Sequence, residues 1–246
     1  MNPKHDETLD RLACGDLYVF QKQRGYRFSL DAYLLAAFVD EKPGAKVLEI
    51  GSGSGVVSIL LAALKNLLVT GVEVQKELAG MSQRSVVLNK LQEKVQIEHT
   101  DIKRFPGEQY NAVVTNPPFR PAVTGRINPD SEKALSRHEI LLDLDTVVRC
   151  GYKLLFSGGH FYIIYPAWRM VDLICAMRRN RIEPKKIMSV YSSMKSRVER
   201  CLVCGIKDGG KELLMTKPFF IYDVDGYSYT PEMQSVFQKL SIPKSH

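Results

Sequence analysis

Short apolar runs alternate with amphipathic stretches through the middle of the chain, and this alternation constrains the fold more than any other feature. The apolar runs fit strands at residues 46–50, 67–72, 94–98, 110–115, 160–165, 186–191 and 200–206. Helical periodicity falls between them at residues 55–65, 75–90, 140–156 and 167–180. The pattern predicts an α/β fold with a doubly wound, mostly parallel sheet. Because no helix separates the last two runs, we expect an antiparallel pair at one edge.

Two segments lie outside the alternation. The first forty residues contain a polar leader, a strand-like run at 17–21, a turn at Gly25 and a helix-like stretch at 30–39. Near the other end come residues 218–222 and a short helix from Pro231. No Pro- or Ser-rich linker separates either segment from the middle. We therefore predict one domain over residues 1–246, with an N-terminal extension (1–40), a core (41–210) and a C-terminal extension (211–246).

A glycine-rich turn follows the first strand of the alternation. Gly51, Gly53 and Gly55 permit positive φ and let a ligand approach the backbone directly. Their Gly-x-Gly-x-Gly spacing differs from the Gly-x-Gly-x-x-Gly of dinucleotide-binding folds, and Glu49 stands two residues before the first glycine. A buried carboxylate at that point would repel a pyrophosphate but would suit an ammonium or sulfonium group. The turn therefore favours S-adenosylmethionine over a nicotinamide dinucleotide.

Two more acids end the next two predicted strands. Glu73 can accept both hydroxyls of a ribose, and Asp101 can accept a hydrogen bond from the exocyclic amine of an adenine. Each acid alone could instead cap a helix or lie at the surface. Together with Glu49, however, they follow successive strands at the carboxyl edge of one sheet. The three acids therefore predict a ligand-binding edge.

The fourth strand runs directly into Asn116-Pro117-Pro118-Phe119. The two prolines fix φ and remove two backbone donors, which leaves the Pro117 carbonyl rigidly aimed. The Asn116 side chain adds a second acceptor, so the pair can hold both hydrogens of a planar amino group. Phe119 offers a face on which an extruded base can stack. A bare proline turn requires neither the amide nor the aromatic ring.

Together with the glycine turn, these residues resemble the class I S-adenosylmethionine-dependent methyltransferases that carry an Asn-Pro-Pro-aromatic motif, and among them the tRNA1(Val) N6-adenine methyltransferase family. The resemblance extends to residues 20–36 and 227–237. It implies a Rossmann-like sheet of seven strands in the order 3-2-1-4-5-7-6, with the last strand antiparallel and residues 1–40 covering the cofactor. The implied reaction is methylation of adenine 37 of a valine tRNA at N6. Phe119 departs from the tyrosine more common in the family.

The resemblance and the motifs together give the predicted site. The predicted catalytic residues are Asn116, Pro117, Pro118 and Phe119. The predicted S-adenosylmethionine-binding residues are Ser29, Asp31, Glu49, Gly51, Ser52, Gly53, Gly55, Glu73, Val74, Asp101, Ile102 and Asn116. Of these, Ser29 and Asp31 are implied by the family pattern to lie over the cofactor. We expect no metal, because the five histidines show no metal-ligand spacing.

The net charge of +7 is concentrated late in the chain. Residues 169–211 contain eleven Lys and Arg against four Asp and Glu, whereas residues 1–168 are nearly balanced. The density is highest at Arg178, Arg179, Arg181, Lys185 and Lys186. Such a segment is a candidate contact for nucleic acid, although a solvated basic face is equally common. We predict that this segment binds the tRNA backbone.

The remaining features narrow the class of protein. The apolar fraction of 45% is typical of a globular chain, and the five scattered cysteines favour a reducing compartment. The polar start is unlike a signal peptide, and no apolar run is long enough to span a bilayer. We expect a cytoplasmic monomer with no membrane contact.

Several local motifs have a structural interpretation that competes with a functional one. Cys201 and Cys204 lack a second Cys or His pair, so buried thiols are favoured over a zinc site. Trp168, beside Pro166, is expected to belong to the core rather than to form a platform for a base. Arg137 and His138 either contact phosphate or cap the helix that begins near residue 140.

Two other functions remain open. The same motif could methylate a protein glutamine amide, guanine N2 or a small molecule. Glutamine methyltransferases carry a helical substrate domain where this chain has only about fifteen polar residues. A noncatalytic RNA-binding relic is the second alternative, and intact Glu49, Gly51, Gly53, Asp101 and Asn116 argue against it.

Overall fold

The computed structural model describes residues 2–24, 27–117 and 144–242. Its strands are β1 (Glu7–Arg11), β2 (Tyr18–Lys22), β3 (Lys46–Ile50), β4 (Leu68–Glu73), β5 (Val95–His99), β6 (Tyr110–Thr115), β7 (Leu155–Pro166), β8 (Ile182–Tyr191), β9 (Val198–Lys207), β10 (Leu214–Met215) and β11 (Phe219–Phe220). Its α-helices are α1 (Leu30–Phe38), α2 (Val56–Lys65), α3 (Lys76–Leu88), α4 (Leu144–Leu154), α5 (Met170–Arg179) and α6 (Pro231–Lys239).

The central sheet has the predicted topology. Among the described residues nine strands form this sheet, and seven of them run in the order β5-β4-β3-β6-β7-β9-β8. Counted from β3 as the first strand, this is the predicted order 3-2-1-4-5-7-6. Strand β9 is antiparallel to β7 and β8, and the other neighbouring pairs of the seven are parallel. The short β10 and β11 extend the sheet by pairing with β8.

Helices cover both faces of the sheet. One buried apolar cluster joins α1, α2, α3 and α6 to the sheet, and a second joins α4 and α5 to the opposite face. Successive side chains of β3 point to opposite faces of the sheet, so that Val47 belongs to the first cluster and Leu48 to the second. Because both faces are buried, the carboxyl ends of the parallel strands are the part of the sheet that remains open to a ligand.

A strand in the polar leader was not predicted. β1 pairs antiparallel with β2 in a separate two-stranded sheet, with Leu9 opposite Phe20. Its sequence, Glu-Thr-Leu-Asp-Arg, has no apolar run, and an ion pair between the buried Glu7 and Arg84 of α3 helps to hold it. Because β1 depends on a partner from a distant helix, local periodicity does not reveal it.

The predicted helix at 140–156 ends earlier than expected. Its first residues, 140–143, lie outside the described residues, as does the predicted turn at Gly25. At the other end the helix stops at Leu154, because Leu155 is buried and begins β7 by pairing with Tyr110. The strand predicted at 160–165 is therefore longer at its start than expected.

Candidate active site

The glycine turn between β3 and α2 lies at the carboxyl edge of the sheet. Its three glycines all have positive φ: 75° at Gly51, 56° at Gly53 and 85° at Gly55. A Cβ atom on Gly51 would meet nothing within 4 Å, whereas one on Gly55 would fall 2.1 Å from the Ser82 hydroxyl of α3. Gly51 therefore presents bare backbone to open space, and Gly55 permits close packing of two helices.

A crevice opens beside this turn and brings several predicted residues together. It is lined by Phe28, Ala32, Glu49, Gly51, Ser52, Ser54, Val56, Val57 and Asn116. Three predicted cofactor residues near the turn thus share one space with the first residue of the Asn-Pro-Pro motif. Phe28 and Ala32, which were not predicted, line the same space from the start of α1.

Glu49 is the buried acid of the crevice. Its carboxyl group is 3% exposed and accepts a hydrogen bond from the Ser58 hydroxyl of α2. Burial raises the pKa of Glu49 to about 8, the Ser58 hydrogen bond opposes this rise, and the negative charge of Glu73 adds to it. At neutral pH the carboxyl group of the free protein is therefore mostly protonated, and a cationic ligand group would favour its ionised form.

Glu73 connects the end of β4 to the glycine turn. Its Oε2 accepts a hydrogen bond from the Gly53 backbone N–H at 2.8 Å, and its Oε1 accepts one from the Gln75 N–H at 2.8 Å. A carboxylate offers about four lone-pair directions. After these two backbone contacts, Glu73 thus retains the capacity to accept hydrogen bonds from two ligand hydroxyls.

Asp101 plays a capping role that the sequence analysis had considered. Its Oδ1 accepts a hydrogen bond from the Lys103 N–H at 2.9 Å at the start of a 3-10 turn, and its Oδ2 lies 3.5 Å from the Lys103 ammonium. The side chain is only half-buried, which leaves it accessible from the carboxyl edge. Two further predicted cofactor residues follow these acids in the sequence. Ile102, after Asp101, is buried against the sheet, whereas Val74, after Glu73, is 42% exposed.

The residues predicted to lie over the cofactor begin α1. The Ser29 side chain caps this helix by accepting a hydrogen bond from the Asp31 N–H at 3.3 Å. The Asp31 carboxylate forms an ion pair with Arg200 of β9, with an Nε–Oδ2 distance of 3.3 Å. Asp31 therefore joins α1 to the antiparallel edge, and neither residue lines the crevice.

The first two residues of the Asn-Pro-Pro motif, Asn116 and Pro117, directly follow β6. Thr115 donates its hydroxyl hydrogen to the Ile50 carbonyl at 3.0 Å, so the end of β6 is joined to the end of β3. The next residue, Asn116, is partly exposed in the crevice, and Pro117 is buried. Pro118, Phe119, Arg137 and His138 lie outside the described residues.

The donor set of the crevice fits the predicted cofactor. The Ser52 hydroxyl is buried and has no hydrogen-bond partner among the described residues, so it is available to a ligand. Of the three predicted carboxylates, Glu49 lines the crevice and suits an ammonium group. Glu73 and Asp101 are not among the lining residues; they lie near the ends of β4 and β5, where they suit ribose hydroxyls and an adenine amine. The described part of the chain contains no group of three or more His, Cys, Asp and Glu that could hold a metal ion.

The densest basic residues lie at the opposite edge of the sheet. Arg178, Arg179 and Arg181 precede β8, which starts at the amino edge because it runs parallel to β7. They pair with Glu183, Asp145 and Asp208 at 3.1, 2.9 and 2.7 Å. Lys185 lies 3.8 Å from Glu212, and the Lys186 ammonium lies over the Phe38 ring. Binding of tRNA by this segment remains a prediction, but the three arginines and Lys185 already have acidic partners within the protein.

Two local interpretations can be compared with the structure. Cys201 and Cys204 are buried in different apolar clusters on opposite faces of β9, and burial raises their pKa values to about 11 and about 12. This arrangement agrees with the interpretation as buried thiols. Because the two thiols lie on opposite faces of the strand, they are not placed to bind one metal ion together. The expectation that Trp168 belongs to the core is wrong, because the side chain is 71% exposed. No helix in the described part of the chain combines the length and apolar character that a membrane crossing requires.

Comparison with known sequences finds methyltransferases. Residues 27–132 match the family model of the methyltransferase small domain. A tRNA1(Val) (adenine(37)-N6)-methyltransferase of Phocaeicola vulgatus is 24% identical over 75% of this chain and 83% of its own length. The protein of the same name from Yersinia pseudotuberculosis is 30% identical over 61% of this chain, and the alignment spans 60% of the Yersinia protein.

Comparison with solved structures finds the same fold. A predicted O-methyltransferase from Agrobacterium tumefaciens superposes with a TM-score of 0.67 and 20% identity over 84% of this chain and 95% of that one. The TYW2 protein of P. horikoshii in complex with MeSAdo gives a TM-score of 0.60 and 12% identity over 84% of this chain and 73% of that one. At these identities the likeness shows the fold alone.

Proposed function

Since this chain is a class I methyltransferase that uses S-adenosylmethionine, we propose that it methylates N6 of an adenine in tRNA, namely adenine 37 of a valine tRNA. One observation carries the proposal. Asn116 of the Asn-Pro-Pro motif lines the same crevice as Glu49 and Gly51. A substrate amine held by the motif would therefore lie beside the cofactor. The names of the Phocaeicola and Yersinia relatives support the choice of substrate.

We propose that the acids at the strand ends hold the cofactor. Glu49 would receive the ammonium group, Glu73 the ribose hydroxyls, and Asp101 the adenine amine. The bare backbone at Gly51 and the free hydroxyl of Ser52 would border the cofactor. When bound, S-adenosylmethionine supplies an electrophilic methyl group on a sulfonium sulfur. Phe28 and Ala32 would help to exclude water from the crevice.

The motif itself would orient and activate the adenine amine. The Asn116 side-chain oxygen and the Pro117 carbonyl would accept its two hydrogens and turn its lone pair toward the methyl group. Asn116 and Pro117 would thus hold the amine nitrogen where it can receive the methyl group that S-adenosylmethionine would supply. The methylated nitrogen becomes strongly acidic and loses one proton to water. The chain thus contributes positioning and stabilisation of the charge that develops on nitrogen.

A tRNA substrate would place the reaction in the cytoplasm. We further propose that the protein acts as a monomer. The basic segment 169–211 would assist binding of the tRNA, with the qualification that its densest part lies at the far edge of the sheet.

Nucleoside mass spectrometry provides the test. Transfer RNA from a strain that lacks the gene is digested before and after treatment with the recombinant protein and S-adenosylmethionine. We expect N6-methyladenosine to be absent and then restored, and a tRNA with adenine 37 replaced by guanine should remain unmodified. Methylation of glutamine, of guanine N2 or of a small molecule instead, or no methylation at all, would contradict the proposal.

A further inference from the structure

The single tryptophan of the chain is exposed beside the proposed active site. Trp168 follows Pro166, the last residue of β7, in a 3-10 turn over Ala167–Arg169, and 71% of its side chain is exposed. A large aromatic side chain is a principal source of buried apolar surface and is rarely left so open in a folded chain. The exposed indole of Trp168 is therefore available to a partner outside the chain.

Its position relative to Asn116 follows from the strand register. β6 and β7 are parallel neighbours, with Thr115 opposite Ile163. Asn116 follows Thr115 directly. Trp168 comes five residues after Ile163 and therefore two residues beyond the end of β7. Since a strand rises roughly 3.3 Å per residue, the end of β7 at Pro166 extends about 10 Å beyond the level of Thr115. Trp168 thus lies beyond the end of β7 at the carboxyl edge of the sheet, the edge that also carries Asn116.

The indole ring has a defined support. The Arg169 guanidinium lies 5.8 Å from the centre of the Trp168 ring and 5.5 Å from that of Tyr165. Asp172 fixes the same guanidinium at 3.1 Å from its Nε. Arg169 therefore holds the indole from one side while most of its surface remains open to a second aromatic group.

Unpaired positive charge lies close to this ring. The turn between β8 and β9 carries Lys195 and Arg197, both exposed and, within the described ranges, without an acidic partner. The 3-10 turn that holds Trp168 packs against β9. The turn that carries Lys195 and Arg197 directly precedes β9. By contrast, the arginines at the amino edge are paired with acids. Lys195 and Arg197 thus place unpaired positive charge at the carboxyl edge, where a polyanion would have to bind.

We propose that Trp168 stacks on an unpaired base next to the target adenine, while Lys195 and Arg197 contact phosphates of the same strand. The partner is single-stranded RNA in a loop, because a base can reach an exposed ring only when it is not held in a duplex. The inference rests on the proposed function, which supplies an RNA substrate at Asn116. It adds a second point of contact that would select loops over duplexes.

Fluorescence of the only tryptophan reports this contact directly. The full-length protein is titrated with a 17-nucleotide RNA hairpin that copies an anticodon arm, and with a duplex of the same length. We expect the hairpin to quench and shift the Trp168 emission and the duplex to leave it nearly unchanged. Absence of quenching by the hairpin would overturn the inference, and so would equal quenching by both.

Variants separate stacking from general binding. The affinity for the hairpin is measured by the fluorescence anisotropy of a labelled hairpin. Trp168→Ala should weaken this affinity by roughly 5- to 150-fold, and Trp168→Phe should restore most of it. Val171→Ala is the matched control, because Val171 is 75% exposed one turn away but has no ring; its affinity should stay within about twofold of wild type. Equal affinities for Trp168→Ala and wild type would overturn the inference.

Charge removal tests the phosphate contacts. The double variant Lys195→Gln with Arg197→Gln should lower the slope of log affinity against log salt by about 1.4, since each lost contact on a single strand contributes about 0.7. Lys42→Gln is the control, because Lys42 is an exposed basic residue outside the segment 169–211 and precedes β3 at the amino edge; the slope should stay unchanged. The reverse ranking would overturn the inference.

Failure of this inference is distinguishable from failure of the proposed function. Methylation of tRNA by wild type together with normal binding by Trp168→Ala would remove the stacking contact and leave the function intact. Absence of adenine methylation by wild type would remove the function, whatever the fluorescence shows.

Discussion

The Oε2 atom of Glu73 accepts a hydrogen bond from the backbone N–H of Gly53 at 2.8 Å. An acid that the sequence suggests only as a ligand for ribose thus also holds the glycine turn in place. The carboxylate is 5% exposed, so both the turn and the end of β4 depend on it. A single side chain therefore links the shape of the crevice to its chemistry.

Removal of this carboxylate should affect stability and binding together. Glu73→Ala leaves the buried N–H group of Gly53 and the partly buried N–H group of Gln75 without their acceptor, at a cost of about 1–3 kcal/mol in the free energy of unfolding. Cofactor affinity should fall as well. Urea denaturation and calorimetric titration measure the two effects. Glu77→Ala is the control, because Glu77 forms an exposed ion pair with Lys22 and should change stability by less than about 1 kcal/mol. Equal stability of the two variants would contradict the structural role of Glu73.

Two glycines with nearly the same backbone conformation separate strain from occupation of the crevice. Gly51 and Gly44 have φ of 75° and 82°, and a Cβ atom on either would meet nothing within 4 Å. Substitution by alanine should therefore destabilise both variants by a similar ~1–2 kcal/mol. Only Gly51 lines the crevice, so only Gly51→Ala should lose S-adenosylmethionine affinity in calorimetry. Equal affinity of the two variants would mean that the open space at Gly51 is not where the cofactor binds.

Binding of the cofactor should be coupled to ionisation of Glu49. Burial raises the pKa of the free carboxyl group to about 8, so it is protonated below that pH. An ammonium group beside it would favour the carboxylate, and binding would then release a proton. Affinity should therefore rise between pH 6 and 7.5, by up to about tenfold per pH unit, and level off above pH 8.

The matched variant for this coupling is Glu49→Gln, which keeps the shape and the Ser58 contact but cannot ionise. Its affinity should be lower and nearly independent of pH over the same range. Calorimetry at pH 7 in two buffers of different ionisation enthalpy should give close to one proton released for wild type and none for Glu49→Gln. If the amine of the cofactor itself titrates near pH 8, its proton would contribute equally to the proton release measured for both proteins. Release of the same number of protons by both would contradict the assigned role of Glu49.

The centre of the fold could be predicted because its strands are buried on both faces. The predicted bounds of β3 and β6 agree with the structure, since each is a short apolar run bounded by polar or turn residues. β1 could not be predicted, because the Glu7–Arg84 ion pair that helps to hold it joins residues far apart in the chain. The start of β7 was also missed, because Gly158 and Gly159 resemble a loop until the Tyr110–Leu155 pairing is known.

The site was predicted in part for a similar reason. Glu49, Gly51 and Asn116 belong to local motifs that follow strands, and the structure brings them into one crevice. Phe28 had no such motif, and its place on the crevice depends on how α1 packs over the sheet. Nor could charge density reveal that the basic residues near Arg181 are already paired with acids, since Asp208 is distant in sequence. Exposure of Trp168 likewise depends on the turn that ends β7.

Single-turnover methylation by Asn116→Ala and by wild type, with cofactor affinity measured in parallel, tests the central claim most directly. The substitution removes one of two acceptors for the substrate amine and should slow methyl transfer to tRNA by about 10²–10³-fold. Cofactor affinity should change little, because Asn116 is proposed to face chiefly the base. A near-normal rate in Asn116→Ala would show that the motif is only a proline turn, and the account of amine methylation would then be wrong.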